Sequence, residues 1–376
     1  MLRIETINFN NYVLPDLKAS RTGNIILNGD ANSFFTYIKD RYNGSPTNRA
    51  IINNMTKLLY GNGLIDKTGI NINKYISKRD LKLICQDFYM YGGYALQVIY
   101  SQGSKLLKED SKPIRFKYMP YFKIALNVEK SSNEVDGFWY SWDWEEKSKY
   151  KPRFYKKFDG IYDVDAPIQI FMCNQTSSND YWPDPSYLGC LEYCQVEEEM
   201  SHSAISHIKN GFSAGKLITI RGGIGGETEE IKQQYASEIK RKLTGSSHKN
   251  EPIIAMTDGL EGEEITIQNI EITALDAQLI YFAEEATRKI LMGHSITSPQ
   301  IMGIPSPSGF TSQADDRVAS LNQLYAQTIN PFREEIIEGL EELLSFSEPT
   351  YSLEFQNTDF GIATDVVQED KNKVTE

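Results

Sequence analysis

Only four histidines and four cysteines occur in 376 residues, and neither set makes a reactive centre by its spacing. No histidine accompanies a serine or cysteine in a glycine elbow, which removes the common arrangement of nucleophile and base. Cys190, Cys194, His202 and His207 look superficially like metal ligands. All four fall on one predicted helix, where Cys194 and His202 are about 12 Å apart along the axis, whereas zinc gathers its ligands at about 2 Å from four directions. With Cys85 and Cys173, and with no apolar leader at the start, they read as reduced thiols of a chain made in a cytosol. No metal and no cofactor is expected.

Positive charge is also in short supply, with 39 Lys and Arg against 51 Asp and Glu for a net charge of −12. That balance disfavours a protein that grips phosphates over its whole surface, but it leaves open a channel through which nucleic acid slides without sticking. No run approaches 18 apolar residues, so no membrane span is expected. The glycine turn Gly222–Gly226 matches neither phosphate-loop pattern, and Glu227, Glu229 and Glu230 put negative charge where a phosphate would sit. Adjacent carboxylates such as Glu263 with Glu264 or Asp315 with Asp316 do not converge on one ion. An enzyme with an unrecognised site stays open only as an alternative.

What the sequence has in quantity is aromatic surface and helical periodicity. Twenty-two tyrosines and seventeen phenylalanines supply a core. Val318, Leu321, Leu324, Tyr325, Ile329, Phe332, Ile336, Leu340, Leu343 and Leu344 recur at helical steps, which predicts an element over 314–346 roughly 50 Å long. Pro331 lies inside it, so a kink rather than a stop is expected near 327–330. The preceding stretch 298–313 has three prolines and is read as a loop without helix or strand, yet Ile301, Met302, Ile304 and Phe310 are apolar.

Earlier in the chain, helices are predicted near 33–42, 47–60 and 78–91. Ser45 is the cap of the second, with Pro46 in its first turn. An antiparallel β region follows, with strands at 94–100, 114–118, 123–127, 137–144, 153–158 and 168–172. Lys147, Lys149, Lys151, Arg153, Lys156 and Lys157 form its basic stretch, readable as a solvated hairpin face or as a contact to nucleic acid or an acidic partner. A helix over 187–210 leads into a small α/β unit with strands at 216–220, 252–256 and 265–270 and a helix over 227–243. A second long helix, 274–293, returns to the proline loop. Two amphipathic helices carrying a small unit suit an interface, most economically with other copies of the chain.

The order of these pieces resembles the portal proteins of tailed bacteriophages. The resemblance is carried by Ser45–Ile52 with Leu58–Leu64, Asp87–Leu96, Tyr187–Leu191 through Ile208–Phe212, Leu243–Lys249, Ala286–Met302 with Ile290, and Gln313–Phe332. It implies an α+β fold, phage portal-like: an α+β wing (1–185 and 314–361), a two-helix stem (186–210 and 273–296) and a small α/β clip inserted between the stem helices (211–272). A tunnel loop (297–313), a long kinked helix and a short tail (362–376) with the crown reduced or absent complete it. The family forms homo-oligomeric rings, usually of twelve, at one capsid vertex of the virion. Double-stranded DNA passes the ring, and the partners are a large terminase, a head–tail adaptor and the major capsid protein.

On that basis Ser298, Gln300, Ile301, Met302, Ile304 and Phe310 are expected to line the channel, and Glu197, Glu198, Glu284 and Glu285 to face it. Pro331 marks the helix kink, and Lys240 with Arg241 belong to the clip interface. A ring-forming connector of a virion or mobile element that never touches DNA is the alternative from the binding class.

Overall fold

The computed structural model describes residues 19–101, 111–209, 216–221, 253–257, 264–269, 275–304 and 314–358. Lys240, Arg241, Phe310, the glycine turn 222–226, the expected helix over 227–243 and the tail 362–376 lie outside them. The fold is α+β, and the chain divides into two compact units: Leu14–Cys194 with Thr287–Glu376, and Met1–Val13 with Gln195–Ala286.

The larger unit is organised by an eight-stranded sheet of order β1-β2-β6-β7-β8-β9-β4-β5. Its strands are β1 Ala19–Thr22, β2 Ile25–Asn28, β4 Gly93–Tyr100, β5 Pro113–Met119, β6 Ile124–Val128, β7 Val135–Tyr140, β8 Arg153–Lys157 and β9 Ile168–Asn174. Two expectations are corrected here. The region is not wholly antiparallel, because β8 and β9 run parallel. Parallel neighbours need a crossover, and the chain makes one through Phe158, whose buried ring packs edge-to-face on Phe346 at 5.1 Å and meets Phe171 at 6.2 Å. The strand expected to reach Trp144 ends at Tyr140. Trp144 instead folds over the sheet beside Leu27 and Ala125, its indole donating to the Lys123 carbonyl at 2.9 Å.

Helices α1 Ser33–Gly44 and α3 Lys78–Tyr91 pack on this sheet, and α2 Pro46–Tyr60 packs on both of them. The starts of α2 and α3 are set by side chains that accept from otherwise unpaired backbone N–H groups: Ser45 from Asn48 at 3.1 Å and Ser77 from Asp80 at 3.1 Å. Helix α2 stops at Gly61, where φ is 55° and a Cβ would collide with the Gln356 carbonyl oxygen. The core between helices and sheet is aromatic. Phe35 lies edge-on to Tyr91, Tyr121 and Trp182 at 5.2–5.5 Å, an arrangement that adds specific geometry to burial.

Strand β3 Gly63–Asp66 pairs antiparallel with β13 Leu353–Gln356 near the other end of the sequence. The long helical pattern is observed as α6 Ala314–Leu324, a π-helical turn Tyr325–Ile329 and α7 Asn330–Ser345. Pro331 therefore stands in the first turn of α7, where its missing N–H costs least, and the wider turn precedes it.

In the smaller unit, β10 Lys216–Arg221 is the middle strand, parallel to β11 Ile253–Thr257 and antiparallel to β12 Glu264–Asn269. Helices α4 Leu191–Lys209 and α5 Leu275–Gly293 run out of one unit into the other. A 3-10 turn, Leu188–Cys190, precedes α4, so Cys190 is not on the α-helix itself. Among the described residues no helix is long and apolar enough to cross a membrane.

Candidate functional site

Most of the residues that sequence reasoning assigned to function lie on α4, α5 and the segment after α5. That segment is anchored by His294, which is buried just beyond the end of α5. Its Nδ1 is 2.8 Å from the Tyr89 hydroxyl and its Nε2 is 2.9 Å from Asn48 Oδ1, so both ring nitrogens are satisfied by α3 and α2. Tyr187 stacks on the ring at 4.4 Å and donates its hydroxyl proton to the Met90 carbonyl at 2.7 Å. Gly293 leaves room for Cys190, against which a Cβ would collide. A hydrogen bond with Cys194, helped by His294, holds the Cys190 thiol below its ordinary pKa in spite of burial. A lone histidine among four gave no pattern to find, and this latch was missed.

From the latch, Ile296 turns back into the core, and Pro299–Met302 form a 3-10 turn where no helix was expected. Pro299 fits the first position of that turn, and the turn closes on Gly303 in the left-handed region. Met302 is only 1% exposed, and its carbonyl accepts from Asn54 Nδ2 at 2.8 Å. It is a core residue of the larger unit, which corrects its assignment to a channel lining. The apolar character that singled it out reflects burial within its own chain. Ile301 and Ile304 are half-buried and pack on the same core. Ser298 and Gln300 are half-buried as well, with Gln300 engaged.

The π-helical turn lies next to a second buried polar cluster. Arg333 on α7 donates from Nε to Leu59 O at 3.0 Å and from Nη2 to Leu58 O at 2.7 Å, and its Nη1 donates to Asn357 Oδ1. The guanidinium thus caps the C-terminal carbonyls of α2, where a cation also meets the negative end of the helix dipole. It lies over the rings of Tyr325 and Phe355 at 5.5 and 5.4 Å. The clamp fixes α7 directly beyond the irregular turn. It was not foreseen, because a single Arg among many acids on an amphipathic helix reads as surface.

The long helices differ from this interior. On α5 the five consecutive residues Ile280, Tyr281, Phe282, Ala283 and Glu284 are all exposed, Tyr281 by 62%. Five in a row go right round a helix of 3.6 residues per turn, so among the described residues no face is covered there. On α4, Ile205 is exposed and Ile208 is 65% exposed. Of the four acids expected to face a channel, Glu284 is exposed, while Glu197, Glu198 and Glu285 are half-buried and already engaged within the chain. Among the described residues no group of His, Cys, Asp and Glu is arranged to hold a metal ion.

With the architecture in hand, its α+β fold can be set beside solved structures. A chain in the virion of a native gene transfer agent particle matches at a TM-score of 0.56 and 13% identity, over 89% of this chain and 86% of that one. A chain in the neck of the native particle, solved with C12 symmetry, matches at 0.54 and 13%, over 85% and 83%. An HK97-family phage portal protein from Corynebacterium diphtheriae matches at 0.48 and 9%, over 85% and 95%. No family model and no curated protein matches the sequence. At these identities the likeness is one of fold.

Proposed function

We propose that the chain is the subunit of a portal ring at one vertex of a capsid, forming the channel through which double-stranded DNA enters and leaves. The observation that carries this reading is the all-round exposure of Ile280–Glu284 on α5, together with Ile205 and Ile208 on α4. A helix apolar on its exposed faces needs a partner, and copies of the same chain around a rotation axis supply one without a second gene product. The C12 symmetry of the neck in which a chain of the same fold occurs supports a ring of twelve.

On this reading α4 and α5 are the stem, the unit around β10–β12 is the clip that meets terminase and adaptor through residues such as Lys240 and Arg241, and the larger unit is the wing, beside the capsid protein. Ser298, Gln300, Ile301, Ile304 and Phe310 stay as the proposed channel-lining residues, Met302 being withdrawn. Few charges in the 298–310 segment let a duplex pass without trapping its phosphates. Negative-stain images of the purified chain test the reading: rings with a central hole wide enough for a duplex are expected, and solitary particles would refute it. A Gln300→Lys variant is expected to assemble normally and package DNA more slowly.

A further inference from the structure

The basic stretch of the sequence takes on a second meaning once the sheet register is known. Strand pairing puts Lys117 opposite Gln97, Gln97 opposite Ile170, and Ile170 beside Lys157. Because side chains alternate between faces, Arg115 and Lys117 on β5 and Arg153 and Lys157 on β8 therefore share one face of the sheet. All four are exposed. None makes a hydrogen bond or ion pair among the described residues. Lys156, on the opposite face, shows the contrast, since it is bound by Asp159 at 2.8 Å and Asp163 at 3.5 Å.

Between the two cationic strands lie β9 and β4, which turn the exposed Ile168 and the half-buried Gln97 and Ile99 to the same face, while Ile170, between Gln97 and Lys157, is fully buried. The carboxylate nearest in register, Asp136 on β7, accepts from Asn127 Nδ2 at 2.7 Å. Three strand spacings put the rows about 14 Å apart, and Arg115 and Lys117 are about 7 Å apart along β5. A B-form major groove is about 12 Å wide, so two such rows match the phosphates on either side of one groove. The uncharged strip between them has no set of donors able to read base edges.

We propose that this face is a sequence-independent docking surface for double-stranded DNA, separate from any channel. A chain of net charge −12 that concentrates four unpaired cations on one sheet face has there the electrostatic complement of a polyanion. The inference does not depend on ring formation, and its test is chosen accordingly.

Closed-circular duplex DNA cannot thread a preformed ring, so its retention by the full-length protein reports surface contact alone. Retention is measured between about 50 and 200 mM salt, with the oligomeric state of each sample recorded. Four phosphate contacts predict a log–log salt slope of about −3.6, a loss of about a hundredfold over that range. The Arg115→Gln, Lys117→Gln, Arg153→Gln, Lys157→Gln variant is expected to lose at least tenfold in retention at the low salt end and to flatten the slope. Arg115→Lys with Arg153→Lys is expected to keep both, and Lys67→Gln, which removes a cation paired with Glu354, to change neither. No retention by the wild type, or equal retention by the fourfold variant, overturns the proposal whether or not rings form. Equally strong, salt-sensitive binding of polyglutamate overturns it too, in favour of an acidic protein partner.

Discussion

The larger unit and the exposed stretches of α4 and α5 use similar residues to opposite ends. In the larger unit Tyr89, Tyr94, Phe88 and Ile38 are fully buried and even the polar atoms of His294 and Arg333 have named partners. On α5, Tyr281 and Phe282 touch each other at 5.6 Å and otherwise face solvent. The sequence pattern is amphipathic in both places. The difference is that one interior is completed within the chain and the other, on the proposed reading, is completed by a neighbouring copy, so truncating a side chain is expected to have different consequences in the two regions.

Four changes sharpen that contrast, from the largest effect on the isolated chain to the smallest. Asp87 is buried beneath β5, accepting from the Tyr118 hydroxyl at 2.7 Å and the Tyr121 N–H at 3.1 Å. Burial pushes its carboxyl up to about 7 in spite of these bonds. A carboxyl raised in the folded state stabilises most below its unfolded value of about 4, and that contribution is lost as pH rises to about 7, a total of about 4 kcal/mol. Denaturant unfolding at pH 5 and pH 8 is expected to show the loss, and Asp87→Asn to flatten it. Arg333→Met leaves the Leu58 and Leu59 carbonyls unpaired and is expected to cost about 3 kcal/mol in the same assay.

Tyr89→Phe removes one partner of His294, with an expected cost of about 1–2 kcal/mol. Ile280→Ser with Phe282→Ser is expected to leave the unfolding free energy of the single chain within about 0.5 kcal/mol and yet to abolish assembly. A large drop in chain stability from that pair would erase the distinction between the regions.

Local chemistry was legible in the sequence wherever a few neighbouring residues determine the result. Ser45 and Pro46 begin α2 as expected, Gly92 closes α3, and β4, β5, β6, β8 and β9 lie within a residue or two of their expected ranges. Long-range pairings were not legible. The parallel β8–β9 pair depends on where Phe158 finds a pocket, and Arg333 finds the end of α2 across 274 residues of chain. Met302 misled because an apolar residue among prolines looks the same whether it lines a passage or fills a core. Pro331 pointed to the right part of the long helix, but not to its local form, a π-helical turn that ends on the buried Ile329. Among the candidate site residues, sequence reasoning proposed the segment after α5 and missed the His294 latch that roots it.

The most direct measurement is the molar mass of the purified full-length chain by light scattering, compared with that of the Ile280→Ser, Phe282→Ser variant. A closed oligomer of about twelve subunits for the wild type, falling to the single-chain mass in a variant that still unfolds cooperatively, is the predicted result. A wild-type chain that runs at its single-chain mass at working concentration would contradict the account.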